Sequence, residues 1–307
     1  MGTDRFMVAV KWLFTRVGIL YIGLFVALAF LVDAKAAASR VRIRRLNDAR
    51  PSMSALVSLA RGDVSPQAMD WKPYRSYFDL VLRYMPQEWT TRMFLGVAEY
   101  YQGEPGKAAV DLRASADAFP PLFWNCYNTA VLAFERGDMS LALAYLERAV
   151  QIPPPMAASA ARSSVLYRQI MSSGNFDIDI EKDAASARED VYLLIVAARY
   201  YAKDFAGARS VALQVIAMPE IRDKEPFYFY AGASSLSLGN AAEAMPLLGA
   251  CLKQKSRNPW AYRYAGQILV AAGDAREGQA LLHTAEELGK DASSGFPYSE
   301  RVHLRFL

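Results

Sequence analysis

Two histidines and two cysteines are the chain's whole supply of the side chains that most often carry nucleophilic or zinc chemistry. A structural zinc site needs four such ligands at short spacing. Cys126, Cys251, His283 and His303 are scattered over the chain and do not supply it. Carboxylates are plentiful, but Glu286-Glu287 and the run Asp177, Asp179, Glu181 read as a solvated helix face and an acidic loop. General acid–base work needs carboxyls whose environments drive their pKa values apart, and nothing in the pattern implies one. There is no Walker loop, no G-x-S-x-G elbow and no H-E-x-x-H pair. The expected catalytic set is therefore empty, with no cofactor and no metal. An enzyme of unrecognised type is the remote alternative.

Composition narrows the classes further. The chain is 53% hydrophobic and 21% charged, which suits a folded chain with an added membrane segment. Its net charge of +4 is unevenly spread. Residues 1–50 hold nine Lys/Arg against three Asp/Glu, a net +6, and residues 51–307 carry a net −2. A nucleic-acid reader wants its basic residues on the folded surface, so nucleic acid is not an expected partner. The two cysteines read as small buried hydrophobes. A disulfide between them would require Cα atoms within ~7 Å, which distant segments rarely allow.

The elements that organise the chain show in a repeated spacing of small residues. Gly96 and Gly103 recur 34 residues later as Ala130 and Gly137, and Gly232 and Gly239 recur as Gly266 and Gly273. A fixed period of that length marks an all-helical repeat array. The small residue lets two helices approach closely, and the turn glycine can take positive φ and end the first helix. Proline then stops the second helix before the next pair.

Here the chain resembles the tetratricopeptide repeat family. Residues 89–122 carry Leu95-Gly96, Gly103, Ala108, Leu112 and Pro120; residues 123–156 carry Ala130, Gly137-Asp138, Ala142, Leu146, Ala149 and Pro154. Residues 189–222 match less well, with Ala198, a Lys203-Asp204 turn, Ala208 and Pro219. Residues 225–258 carry Ala231-Gly232, Gly239-Asn240, Ala244, Leu248 and Leu252; residues 259–292 carry Ala265-Gly266, Gly273-Asp274, Leu282 and Ala285, with Gly278 where alanine is usual. The expected fold is an all-α, TPR-like solenoid of helical hairpins, about five to seven repeats with some degenerate. Residues 51–88 form a degenerate pair or N-terminal cap, and residues 157–188 a degenerate repeat with an irregular acidic insert that could divide the array. Residues 293–307 form a C-terminal cap, with Phe296, Leu304 and Phe306 over the last helix.

The resemblance also implies a groove lined by the first helix of each pair. Its expected partner-binding residues are Met93, Tyr100, Trp124, Tyr127, Phe134, Tyr200, Phe229, Trp260 and Arg263, with Val97, Val131, Leu193, Ala197, Leu236 and Gln267 completing the row. This lining is aromatic and apolar, suited to a partner helix or apolar peptide. The Lys/Asn clamp with which some members grip an acidic C-terminus has no counterpart among these positions. The plainer possibility is that several of them pack between repeats.

Ahead of the repeats, residues 17–32 carry no charge. A spanning helix needs about 20 residues, reached if Trp12, Leu13 and Phe14 enter and Arg16 snorkels. Residues 1–33 thus read as a tail and transmembrane helix, and 34–50 as a basic juxtamembrane arm. Ala34-Lys35-Ala36 keeps a cleaved signal sequence open. Arg40, Arg42, Arg44 and Arg45 are expected to lie against anionic lipid. The expected location is single-pass, in a bacterial inner membrane, with the repeats on the periplasmic side. Basic residues on both flanks leave the cytoplasmic side open. Two readings of function follow: a membrane-anchored scaffold that assembles a cell-envelope machine, or a permanent structural subunit using Gly18 and Gly23 as helix contacts.

Overall fold

The computed structural model describes residues 3–61, 63–118, 122–172, 179–289, 296–299 and 301–305, excluding the side chains of 3–23, 26, 60, 61, 171 and 183. It divides into two units, Met1–Pro51 and Ser52–Leu307. The first is a single helix, α1 (Thr3–Ala49), of 47 residues. At 1.5 Å per residue it is about 70 Å long. The basic arm continues this helix without a break. Among the described residues no helix is long and apolar enough to cross a membrane. Residues 17–23 and 26 of the apolar segment lie outside the described side chains.

In the second unit every regular element among the described residues is helical. It opens with α2 (Met53–Arg61), a short 3-10 turn (Pro66–Ala68) and α3 (Lys72–Tyr84). Two helical pairs follow: α4 (Trp89–Tyr101) with α5 (Pro105–Ala116), and α6 (Phe123–Glu135) with α7 (Met139–Val150). Next come α8 (Pro154–Ser163) and α9 (Val165–Ser172). Three more pairs complete the row: α10 (Ile180–Tyr201) with α11 (Phe205–Ala217), α12 (Glu225–Ser237) with α13 (Ala241–Lys253), and α14 (Pro259–Ala271) with α15 (Ala275–Gly289). Each pair packs on its partner helix and on the next pair. The unit is an all-α, TPR-like solenoid.

The register of small residues explains the pairing. A Cβ built on Gly96 would lie 2.8 Å from Cγ of Leu112, and one on Gly232 would lie 2.8 Å from Cγ of Leu248. Both leucines are fully buried on the second helix of the same pair. The turns at Gly103, Gly137, Gly239 and Gly273 take φ between 77° and 94°. The third pair performs the same turn with Lys203, at φ 64°. An L-residue there costs roughly 1–2 kcal/mol. Lys203→Gly is expected to raise stability by about 0.5–1 kcal/mol after the unfolded-state entropy of glycine is counted. Urea denaturation measures this, and a loss of stability would contradict the assignment of strain to that turn.

The acidic stretch folds differently from a loop insert. Asp179 caps α10 by accepting from the Lys182 backbone N–H, so Ile180–Glu189 lengthens the first helix of the third pair. Residues 173–178, including Asp177, lie outside the described residues. Helix α10 packs against α7 and α8, so the array runs through this point. Helices α8 and α9 turn back over the start of the unit. Tyr167 meets Phe94 edge-on at 6.1 Å, Tyr77 Oη donates to Gln169 at 2.7 Å, and Glu88 accepts from the Ser164 hydroxyl and the Val165 backbone.

One buried carboxyl sits at the α3–α4 junction. Glu99 is 4% exposed and accepts from Arg75, which also bonds Gln102 and Glu104. Desolvation, with Asp111 nearby, raises its pKa from 4.5 to about 7. A carboxyl that holds its proton more tightly when folded makes stability fall as pH rises from 4.5 towards 7. Glu99→Gln is therefore expected to stabilise the chain by about 1–3 kcal/mol at pH 8 and by little at pH 4. Urea denaturation at both pH values is the check, and an equal effect at both would refute the assignment.

Candidate functional site

The first helices of successive pairs, α4, α6, α10, α12 and α14, pack side by side and form one face of the unit. It is already partly filled. Residues 296–299 and 301–305 leave the helical pattern, with Ser299 N–H donating to Phe296 O (3.1 Å) and Arg301 N–H to Tyr298 O (3.0 Å), and lie across the first helices.

Four contacts fix this segment. Phe296 meets Phe134 of α6 edge-on at 5.1 Å. Pro297 closes a cavity of about 150 Å³ lined by Tyr200, Tyr201, Phe229, Tyr230, Trp260 and Tyr264. Tyr298 packs on Phe229 and Tyr230, donates its hydroxyl to Glu225 (3.3 Å) and accepts from Asn258 Nδ2 (3.1 Å). At the far end Asn128 of α6 binds the main chain of residue 305 twice. Its Nδ2 donates to the Arg305 carbonyl at 2.6 Å, and its Oδ1 accepts the Arg305 N–H at 2.8 Å. Between these points Val302 and Leu304 are buried while His303 is exposed, the in–out alternation of a peptide lying on a surface.

Charge fixes the register. Asp190 of α10 is buried and pairs with both Arg301 (3.3 Å) and Arg305. Arg301 also binds Asp223 at 2.6 Å, and the Arg305 guanidinium lies 5.9 Å from the ring centre of Tyr127. Burial raises the Asp190 carboxyl above the ordinary aspartate value, and Arg305 and Arg301 pull it back. A buried carboxylate with two guanidinium partners is retained charged because each supplies directed N–H donors.

The residues expected from sequence take distinct places. Tyr127, Phe134, Tyr200, Phe229 and Trp260 line the path of the segment. Met93 and Trp124 are buried between helices, Trp124 against Phe123 and Tyr127. Of the rest of that row, Val97, Val131, Leu193 and Ala197 are also fully buried, Leu236 is half-buried and Gln267 exposed. Tyr100 donates to Glu135 at 2.9 Å, and Arg263 stands exposed over the Trp260 ring at 4.7 Å. Phe296, expected over the last helix, instead reaches α6, three pairs upstream, and Phe306 lies outside the described residues. Asn128, Asp190, Glu225, Asn258, Arg301 and Arg305 were not singled out from sequence. The Phe296-Pro297-Tyr298 run and the apolar alternation after it were the available signals.

Both cysteines are free and buried, and burial raises the Cys126 thiol to about 11, so it is held as an unreactive thiol. Among the described residues no group of His, Cys, Asp and Glu is arranged to hold a metal ion.

The fold's turn spacing and close-packed glycines agree with the comparison to known families. Residues 235–294 match the tetratricopeptide repeat. The matched segment holds α13 and the last pair, α14 and α15, and the pairs upstream share its spacing. Among solved structures the chain is similar to MamA, at 14% identity over 69% of this chain and 100% of that one, with a TM-score of 0.47. It is also similar to a tetratricopeptide repeat protein from Parabacteroides merdae, at 16% identity over 78% of this chain and 94% of that one, TM-score 0.37. A third likeness is to the P58(IPK) TPR domain, at 13% identity over 86% and 70%, TM-score 0.32. No curated protein matches the chain.

Proposed function

We propose that the chain is a scaffold that holds protein partners on the face of its first helices, in the assembly of a cell-envelope machine. The observation that carries this is Asn128. A side-chain amide that binds both the N–H and the C=O of one residue recognises a peptide main chain whatever its sequence. The aromatic lining around Trp260 and Tyr200 supplies area at low entropy cost.

Helix α1 supports a tether. Leu24, Phe25, Leu28, Phe30, Leu31 and Val32 are 52–75% exposed and lie on several sides of the helix. An apolar surface that surrounds a helix calls for a cover, either lipid or another helix. Arg40, Arg42, Arg44 and Arg45 are exposed further along it, and a basic cluster of this kind attracts anionic headgroups. The same exposed side chains favour the second reading, a permanent subunit whose α1 is covered by neighbouring helices.

Photo-crosslinking in cells from Trp260 and Tyr200, with Val110 of α5 as the control, tests the partner face. Val110 is 68% exposed on a second helix. One defined protein adduct from both face positions and none from position 110 is expected. Equal adducts from all three, or none, would contradict the reading. For the tether, alkaline carbonate extraction should leave the chain in the membrane pellet; release into the supernatant refutes it.

A further inference from the structure

Residues 296–299 and 301–305, here called the segment, occupy the partner face in the way a ligand would. The segment brings an aromatic–proline–aromatic run to the cavity of α10, α12 and α14, two arginines to Asp190, and a main-chain amide to Asn128. None of these groups belongs to the repeat architecture. The helical pairs close their cores through residues such as Leu112, Leu146 and Leu248, which are fully buried on second helices. Asp190, by contrast, has a buried carboxylate that pairs, among the described residues, with Arg301 and Arg305 of the segment. Of the groups facing it, Arg301 and Arg305 are cationic, Glu189 is its acidic neighbour, and His303 lies close enough to feel its charge.

We propose that residues 296–299 and 301–305 are an intramolecular stand-in for the partner, and that the partner is a protein bearing a non-helical, arginine-containing segment which displaces them. Asp190 selects the guanidinium, Asn128 holds the main chain beside it, and the aromatic cavity takes a proline or an aromatic ring. This rests on the reading of the first-helix face as a partner face. Bound in cis, the segment has a high effective concentration, so a competing segment in trans must be presented at high local concentration or make further contacts to win. The partner face is thereby closed until such a partner is present.

The test uses a fluorescein-labelled peptide of sequence Phe-Pro-Tyr-Ser-Glu-Arg-Val-His-Leu-Arg and the full chain, read by anisotropy. The full-length Tyr298→Ala/Arg301→Ala/Arg305→Ala variant is expected to bind the peptide at least tenfold tighter than the wild type. Adding Asn128→Ala to that variant should lose the binding. Arg305→Glu alone, which sets a carboxylate against Asp190, is the milder variant if the triple one fails to fold, and it should show the same order. Equal affinity for wild type and variants overturns the proposal, as does binding that Asn128→Ala leaves unchanged. A wild-type chain that elutes as a dimer and dissociates on peptide addition also overturns it, because the segment would then sit on a second copy. If peptide competition holds while the in-cell crosslinks fail, the docking of the segment stands and only the scaffold reading falls. Crosslinks without competition defeat the stand-in alone.

Discussion

Gly232→Val is expected to cost about 3 kcal/mol or more and to lower the melting temperature of the helical unit by roughly 6–12 °C. The cause is contact, not backbone freedom. Gly232 is in mid-helix, and its Cβ would lie 2.8 Å from Leu248 Cγ and 3.2 Å from the Leu248 backbone nitrogen. A side-chain carbon can move by a rotamer change, but the nitrogen belongs to α13, so the two helices must part. Leu248 is fully buried, and parting the helices opens space around it. Gly249 gives the contrast. It lies in α13 with nothing within 4 Å of a built Cβ. Gly249→Ala should stabilise the chain by up to about 1 kcal/mol, because alanine loses less backbone entropy than glycine in a helix. Thermal melts of both variants settle the matter. Equal melting temperatures for the two would contradict the close-packing account of the repeat.

Asp190→Ala is expected to release the terminal segment while leaving the helices folded. The carboxylate is buried and holds two guanidiniums, each of which is partly exposed and can return to water. Removing one side of such a pair costs roughly 2–3 kcal/mol here, below the full range for buried pairs because the arginines are rehydrated. That corresponds to a shift of roughly 30–150-fold in the docking equilibrium. The Arg305 amide, which donates to Asn128, should exchange faster by that factor, and the amides of α12 and α13 should be unchanged. Loss of protection throughout would show that Asp190 serves the fold and not the segment.

The repeat was legible because its signals are local. Gly239 to Ala244 and Gly232 to Gly239 are spacings within one hairpin, and each follows from how two adjacent helices touch. Lys203 shows the limit, since the turn geometry held where the residue that favours it was absent. The acidic stretch read as a loop because Asp179, Glu181 and Asp183 are polar, yet acidic residues suit the first turn of a helix and Asp179 caps α10. The candidate site was legible in part. Tyr127, Phe134, Tyr200, Phe229 and Trp260, expected from the resemblance in one row, lie along the path of the segment, but the side chains that fix it there follow from no repeat position. Asn128 meets residue 305 at a separation of 177 residues, and no period within the chain announces that contact. Reading the terminal residues as a cap placed their apolar side chains near the last helix, where a short segment is most easily covered. The arginines that draw it to Asp190 had no partner visible in sequence.

Hydrogen exchange of the wild-type full chain at the Arg305 amide tests the central claim most directly. The Arg305 N–H donates to Asn128 and is expected to exchange at least tenfold more slowly than in an unstructured peptide, with Asn128→Ala restoring the unstructured rate. Exchange at the unstructured rate in the wild type would show that the segment does not dock on the first helices, and would contradict the proposed stand-in.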